Sequence, residues 1–247
     1  MFIQTKGLIL REVRYKEADR ILTVYSEKNG KITVTAHGAY SKKNKMAAST
    51  QSLTYSDFVL EYRNGRYTVK EAAVLESFPG LRNDISKYYL SFYFLEIVDA
   101  FSFEEIEDPA ALRLVLNSLY AMSNSLYPDA QIKAAFELKL CSSIGYEPSL
   151  YACCECGKDE PDEPLFCPEA GAVCCRNCYK PSMGYASAID PAILKAMRYI
   201  VKSNLKSFLS FSLPPDLLPE LEQICEHYFR MHTERKFSTL ELWKSVN

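Results

Sequence analysis

Short runs of alternating apolar and polar residues fill the first eighty positions of the chain. Such period-two alternation, rich in β-branched and aromatic side chains, predicts β-strands. Asn29-Gly30 and Asn64-Gly65 each separate two of these runs, and Asn-Gly favours the positive-φ turns that match strand twist, so each pair predicts a hairpin. The predicted strands are 7–13, 21–26, 31–36, 57–62 and 66–74.

One long loop follows the third predicted strand. Five strands with this spacing predict a small Greek-key barrel of the OB type. An SH3-like barrel fits the same pattern, and the spacing of the strands does not separate the two.

After residue 80 the apolar positions recur with a helical period. Asp108-Pro109 and Asp190-Pro191 each predict a helix start, with aspartate as the N-cap and proline at the first helical position, and Gly145 predicts a helix end. The chain is therefore expected to be an α+β protein, with an OB-fold domain over 1–80 and a helical domain over 81–247. The predicted helices are 84–101, 108–122, 129–145, 190–200, 214–231 and 239–246.

Seven of the nine cysteines lie between residues 153 and 178. Two pairs have the C-x2-C spacing that turns both thiolates toward one point, and two such pairs supply the four soft ligands that tetrahedral zinc prefers. The sequence predicts one structural Zn²⁺ per chain, because four protein ligands leave no open position for a substrate. The predicted ligands are Cys153, Cys156, Cys175 and Cys178.

The zinc-ribbon-like insertion is expected to cover residues 150–182. Cys154, Cys167 and Cys174 lie beside or between the predicted ligands, and they are set aside because the C-x2-C register points them elsewhere. The alternative is a cluster of unligated or disulfide-bonded thiols. A nearly neutral chain without a secretory signal favours a reducing compartment, where this spacing more often binds metal.

Composition places the chain among globular proteins, with 48% hydrophobic and 24% charged residues. The net charge is −2, but residues 1–80 hold thirteen Lys and Arg against eight Asp and Glu, a net charge of +5, and the rest carries −7. This asymmetry predicts a basic binding module joined to an acidic body. The most apolar stretch, 88–103, contains Glu96 and Asp99, so we expect a cytoplasmic protein without a membrane span.

The loop from Gly38 to Lys45 is the predicted nucleic-acid contact. Its lysines supply charge for phosphates, and its tyrosine offers a stacking face to an unpaired base, as single-strand binders do. Three arginines of the first strands extend the same face, while a merely solvated loop is the alternative. The candidate residues are Arg11, Arg14, Arg20, Tyr40, Lys42, Lys43 and Lys45.

Catalytic motifs are not evident. The sequence has no P-loop, no G-x-G-x-x-G and no H-E-x-x-H, and His227 and His232 are five apart, a spacing that does not place a metal pair on one helix face. We expect a protein that is not an enzyme. Two alternatives are a zinc-ribbon scaffold that binds no nucleic acid, and an enzyme with an unrecognised cysteine site.

Several ordered motifs together resemble the bacterial RecO family over almost the full chain. The resemblance implies an OB fold that binds single- and double-stranded DNA, a helical domain and a zinc ribbon. It also implies strand annealing and, with RecR, assistance to RecA on DNA coated with single-strand-binding protein (SSB), in the nucleoid of the bacterial cytoplasm. The motifs are Gly7-Leu8-Ile9-Leu10, Tyr15-x-Glu17-x-Asp19-Arg20-Ile21-Leu22, Gly30, Gly38-Ala39 and Leu140-Cys141-x-x-x-Gly145-Tyr146-x-Pro148.

Two family features map onto particular residues. The family's basic loop corresponds to Gly38 through Lys45, where Tyr40 stands in place of a common arginine, and the usual glycine pair before the third zinc ligand is Gly171-Ala172. SSB proteins end in an acidic, aromatic tail, which requires a basic residue beside an apolar groove of the helical domain. The candidates for that contact are Arg113, Lys133 and Lys139.

Overall fold

The protein, described by a computed structural model over residues 1–41 and 44–246, packs as two compact units. The first unit is Met1–Asn124 together with the chain from Phe237 onward, and the second is Ser125–Lys236. The chain thus leaves the first unit after Asn124 and returns to it at Phe237. The predicted division into 1–80, 81–247 and an insertion at 150–182 stays a prediction about domain organisation.

A closed five-stranded barrel occupies the N-terminal part of the first unit. Its strand order is β1-β2-β3-β5-β4, and the closure between β3 and β5 is parallel, with Val34 opposite Tyr67. This order confirms the OB-type barrel, since an SH3-like barrel lacks that parallel closure. The strands are β1 (Phe2–Tyr15), β2 (Asp19–Ser26), β3 (Gly30–Ala36), β4 (Tyr55–Arg63) and β5 (Arg66–Glu76).

Both predicted hairpins form, but with different turns. Asn64 and Gly65 both have positive φ and join the paired Arg63 and Arg66, as a two-residue turn requires. The β2–β3 connection has three residues, and Gly30 alone supplies the positive φ after them. Gly30 also allows a close approach, because a Cβ there would lie 2.1 Å from the carbonyl oxygen of Ile106.

The barrel core follows from the period-two pattern. Alternate side chains of each strand point inward, and the inward positions are fully or almost fully buried. Burying a valine, leucine, isoleucine or phenylalanine side chain stabilises a fold by roughly 1.5–3 kcal/mol relative to leaving it exposed. The buried set is Ile9, Leu22, Val24, Ile32, Val34, Ala36, Ala39, Phe58, Leu60 and Val69.

Local capping sets several of the helix ends. The Asp108 carboxylate accepts hydrogen bonds from the backbone N–H groups of Ala110 and Ala111, and Asp190 caps the fifth helix in the same way. Gly145 ends the fourth with φ +96°. The helices are α1 (Pro79–Arg82), α2 (Ile85–Phe101), α3 (Pro109–Ser123), α4 (Asp129–Ser143), α5 (Pro191–Lys202), α6 (Leu218–Thr233) and α7 (Ser238–Lys244).

The C-terminal helix α7 packs on α2 in the first unit. The Phe237 ring lies edge-to-face against Tyr93, with ring centroids 5.6 Å apart. The Trp243 indole N–H donates to the Ser86 hydroxyl at 3.0 Å. The first unit therefore joins elements from the two ends of the chain.

The second unit packs α4 against both α5 and α6. A small antiparallel sheet in the order β7-β6-β8 accompanies these helices. Its strands are β6 (Leu165–Cys167), β7 (Ala172–Cys174) and β8 (Ser187–Ala188).

A buried ion network joins α4 to α6. The Lys133 ammonium lies 3.1 Å from Glu137, 2.9 Å from Glu226 and 3.4 Å from Glu222, and the Lys133 side chain has no exposed area. Burial opposes the charged form, but the three carboxylates outweigh it and raise the pKa of Lys133 above its ordinary value. The prediction of Lys133 as a partner contact is therefore wrong, because its charge is enclosed between two helices.

Membrane-crossing helices are absent from the part of the chain that the structure describes. No helix there combines the length and the apolarity that a bilayer span requires.

Candidate metal centre and nucleic-acid surface

The four predicted zinc ligands converge. The sulfur atoms of Cys153, Cys156, Cys175 and Cys178 all lie within 4.8 Å of one another. Four thiols at this separation surround a point that a single metal ion fits. The four cysteines form a candidate metal-binding site.

Two backbone turns bring the thiols together. In the first turn, the Gly157 N–H donates to the Cys153 carbonyl at 2.9 Å, and Gly157 has φ +67°. In the second, the Cys178 N–H donates to the Cys175 carbonyl at 2.9 Å. Each turn folds its C-x2-C segment so that both thiols face the same side, as the spacing predicted.

The surroundings of Cys153 suit a thiolate ligand. Its sulfur accepts a hydrogen bond from the Cys175 backbone N–H at 3.3 Å. Burial opposes ionisation, but backbone N–H donors, first that of Cys156, outweigh it and lower the pKa of Cys153 to about 6. Since the thiolate is the form that binds metals, these donors fit the residues to a metal ion.

The three remaining cysteines of the segment lie outside the four-thiol cluster. Cys167 on β6 and Cys174 on β7 are fully buried, with their sulfur atoms 3.7 Å apart. Cys154 is exposed, and its N–H donates to the Val173 carbonyl. Cys167 and Cys174 thus pack within the ribbon, while Cys154 pins the first turn to β7.

A second cluster lies on the barrel, where Tyr40 meets two of the predicted arginines. The guanidinium carbon of Arg14 lies 4.6 Å from the centre of the Tyr40 ring, and that of Arg20 lies 5.5 Å from it. Both are cation–π distances. Tyr40 keeps 46% of its surface exposed, and Arg14 is also exposed, so the cluster presents a ring and a positive charge to solvent.

Hydrogen bonds hold the loop of Tyr40 against the turn between β1 and β2. The Tyr40 N–H donates to the Ala18 carbonyl at 2.8 Å. The Asp19 carboxylate accepts the Gly38 N–H at 2.8 Å and lies 2.9 Å from the His37 ring nitrogen. The Gly38 bond and then the His37 bond lower the pKa of Asp19. The tyrosine is therefore positioned by the backbone around it.

Arg20 has a structural role that the sequence did not reveal. It is 7% exposed, and its guanidinium donates to the Ala47 carbonyl and the Thr50 hydroxyl while lying 3.4 Å from Glu12. Its positive charge is thus enclosed and partnered. The buried Arg20 guanidinium packs near the Tyr40 ring, and its charge is not exposed for contact with a phosphate.

The other predicted DNA contacts are scattered or undescribed. Arg11 is exposed and pairs with Thr23, whereas Arg14 pairs with Arg20. Because side chains alternate along a strand, Arg11 points to the opposite face of the sheet from Arg14. Lys45 is exposed on the loop. Lys42 and Lys43 lie outside the described residues.

The two other predicted partner contacts differ in exposure. Arg113 on α3 is exposed. Lys139 on α4 is partly buried and donates to the Val201 and Ser203 carbonyls at 2.7 and 2.5 Å. Burial, more than any neighbouring charge, lowers the pKa of Lys139. Lys139 thus ties α4 to the end of α5, and a role for either residue with a partner stays a prediction.

The chain is of the class of proteins that join an OB-type barrel to a set of helices and a four-cysteine ribbon. Residues 1–78 match the family described as "Recombination protein O N terminal", and residues 82–241 match "Recombination protein O C terminal". The chain belongs to the RecO family, which acts in DNA repair and recombination.

Relatives with the same name span the whole chain. The chain is 33% identical to the DNA repair protein RecO of Acetivibrio thermocellus over 246 residues, covering 100% of this chain and 98% of that protein. It is 29% identical to the DNA repair protein RecO of Alkaliphilus metalliredigens, with 100% of both proteins covered. The match to the Dehalococcoides mccartyi protein of the same name is 30% identical over 97% of this chain and 94% of that protein.

Proposed function

We propose that the chain is a DNA-binding recombination mediator whose barrel holds single-stranded DNA at Tyr40 and Arg14. The observation that carries the proposal is the exposed Tyr40 ring with the Arg14 guanidinium 4.6 Å from its centre. Single-strand binders combine an aromatic face for a base with cations for the backbone, and this pair supplies both at one place.

The mechanism uses binding energy alone. An unpaired base stacks on Tyr40, an interaction worth roughly 1–3 kcal/mol per base. Arg14 and Lys45 neutralise phosphates, and counterion release makes the affinity fall with salt. Holding a strand with its bases accessible raises the effective concentration of that strand for a complementary one, which favours annealing.

We also propose that the four-cysteine cluster holds one structural Zn²⁺. The converging thiols and the N–H group aimed at Cys153 support this. Bound zinc would stabilise the ribbon by linking its two turns, because an acidic segment of 158–164 with few apolar residues has little core of its own. The absence of catalysis stays a prediction.

The proposed partners follow from family membership. We propose that the protein works with RecR, contacts the acidic tail of SSB, and thereby assists RecA loading in the bacterial cytoplasm, associated with the nucleoid. For the SSB tail, Arg113 is the exposed member of the predicted set. Double-stranded DNA is a second proposed ligand.

The test is the annealing of two complementary oligonucleotides, bare and then coated with cognate SSB, together with single-strand affinity at several salt concentrations. Tyr40→Ala should weaken binding by roughly 1–3 kcal/mol, and Tyr40→Phe should restore it. Arg14→Ala should reduce the salt slope by about one phosphate contact.

Arg11→Ala is the matched control, since Arg11 lies on the same strand as Arg14 but on the opposite face of the sheet. Equal losses in Arg11→Ala and Arg14→Ala would contradict the assignment of the Tyr40 face. If the folded protein neither binds nor anneals DNA at low salt, the zinc-ribbon scaffold becomes the better description.

A further inference from the structure

A second tyrosine flanked by two cations lies in the other compact unit. The Tyr151 ring centre is 5.3 Å from the guanidinium carbon of Arg198 and 5.3 Å from the Lys202 nitrogen. Tyr151 is 44% exposed, close to the 46% of Tyr40 on the barrel. The chain thus presents the same combination of groups twice, once in each unit.

The cations come from one face of α5. Residues three, four and seven positions apart share a helix face, and on α5 that face carries Lys195, Arg198, Tyr199 and Lys202. Its opposite face is buried through Leu194, Met197 and other apolar residues. The sequence of α5 contains no Asp or Glu, so nothing on the helix itself offsets this positive face.

The surface is basic within the acidic part of the chain. Lys206 continues the row of exposed cations beyond the end of α5. Two carboxylates lie close: Glu160 pairs with Arg198 at 2.6 Å, and Glu147 lies 4.0 Å from Lys202. The net charge of this surface is therefore +2, although residues 81–247 carry a net charge of −7. The count includes four cations (Lys195, Arg198, Lys202 and Lys206) and the two carboxylates.

Arg198 and Lys202 have different environments. The Arg198 guanidinium is fixed, since it donates to the Leu150 carbonyl at 2.7 Å as well as to Glu160. The Lys202 side chain is 65% exposed, and its ion pair is long. The Lys202 ammonium can therefore move from the Tyr151 ring to a phosphate at a small cost in free energy. This movement exposes the Tyr151 ring to a base.

We infer that Tyr151, Lys195 and Lys202 form a second binding surface for an unpaired nucleic-acid strand. The inference rests on the proposed function and extends it, since annealing brings together two strands and one chain would then hold both. Lys195 and Lys202 lie two helical turns apart, about 10.5 Å along the helix axis, so they can contact separate phosphates of one strand while the exposed ring accepts a base. An acidic peptide without an aromatic residue would use the cations but has no need of the ring, and an acidic peptide with one is a competing occupant that the test includes.

The test measures the second strand separately from the first. The full-length protein is loaded on a biotinylated oligothymidylate fixed to beads, and capture of a fluorescent, non-complementary oligonucleotide is titrated. Tyr151→Ala should leave binding to the first strand within about twofold and weaken capture of the second by roughly fivefold to a hundredfold. Tyr151→Phe should retain capture, and Lys202→Gln should lower its salt dependence.

Tyr185→Ala is the matched control, because Tyr185 is an exposed tyrosine of the same unit whose ring contacts His227. Unchanged capture in Tyr151→Ala, or an equal loss in Tyr185→Ala, overturns the inference. Displacement of the second strand at equal charge concentration by oligoglutamate, or by an acidic peptide that carries an aromatic residue, overturns it in favour of an acidic protein partner.

The bead experiment also separates this inference from the proposed function. Failure of the wild type to bind the first strand refutes the proposed function, and the second surface falls with it. Suppose instead that the wild type binds the first strand, that Tyr40→Ala loses this binding, and that Tyr151→Ala leaves capture of the second strand unchanged. This result supports the proposed function and refutes only the second surface.

Discussion

Replacing Lys133 by Met tests whether this lysine is a buried structural cation. The substitution removes the charge and keeps most of the side-chain volume, so that the buried Glu137 carboxylate loses its 3.1 Å partner. Breaking a buried ion pair from one side costs about 3–5 kcal/mol, because the remaining charge is left in a poorly solvated place. With a urea slope of about 2 kcal/mol per molar, the midpoint should fall by roughly 1.5–2.5 M.

The pH dependence of the free energy of unfolding provides a second, independent test of this prediction. In wild type the pKa of Lys133 is raised, so its stabilising contribution is present below the ordinary lysine pKa and is lost only as pH rises through the folded value. In Lys133→Met, the Glu137 carboxylate stays buried but loses the ammonium that compensates its charge. The deficit should therefore shrink as the pH is lowered, since protonated Glu137 carries no buried charge.

Urea unfolding followed by far-ultraviolet circular dichroism measures the change. The fluorescence of Trp243, the one tryptophan of the chain, reports on the first unit and serves as an internal reference. Lys139→Met on the same helix is the control, and it should cost less, about 1.5–3 kcal/mol, as expected for lost hydrogen bonds of a charged group. An unchanged midpoint in Lys133→Met, accompanied by loss of partner binding, would refute the reasoning.

Three further predictions concern the ribbon and the barrel. Cys156→Ser should abolish binding of one zinc per chain, measured by atomic absorption, and should make the ribbon more sensitive to protease, whereas retained stoichiometry would contradict the ligand set. Asp19→Asn should loosen the Tyr40 loop, detected by amide hydrogen exchange. Because the folded pKa of Asp19 is lowered, its contribution in wild type is complete above the ordinary value of 3.8 and lost as pH falls through the folded value. Gly30→Ala should cost clearly more stability than Gly65→Ala in thermal unfolding, since both have positive φ but only the Gly30 Cβ meets the Ile106 backbone, and equal losses would contradict this close approach.

Much of the local structure could be predicted because its causes lie within a few residues. The strands follow from period-two alternation, the helix starts at Asp108 and Asp190 from a side chain that caps its own first turn, and the two C-x2-C turns from backbone hydrogen bonds inside each segment. The convergence of the four cysteines was predicted for the same reason: each pair is preformed locally, and short strands bring the pairs together.

The candidate DNA surface was predicted only in part. Tyr40 and Arg14 do meet, but Arg20 was expected to be exposed and is instead bound by Glu12, Thr50 and a backbone carbonyl. Arg11 lies on the other face of the sheet. The identity of a residue and its position in a strand do not reveal which charges find buried partners, because Glu12 comes from the neighbouring strand β1 and Thr50 from a loop 30 residues further along the chain.

The sequence by itself determined the barrel strands, most of the helices, the metal-binding turns and the basic character of the N-terminal part. Only the tertiary structure decided that Lys133 is enclosed by Glu137, Glu222 and Glu226, that α7 returns to pack on α2, and that Tyr151 lies beside Arg198 and Lys202. The physical reason is the sequence separation over which each interaction acts. Hydrogen bonds and periodicity act between near neighbours, whereas enclosure of a charge or a ring depends on which remote elements pack against it.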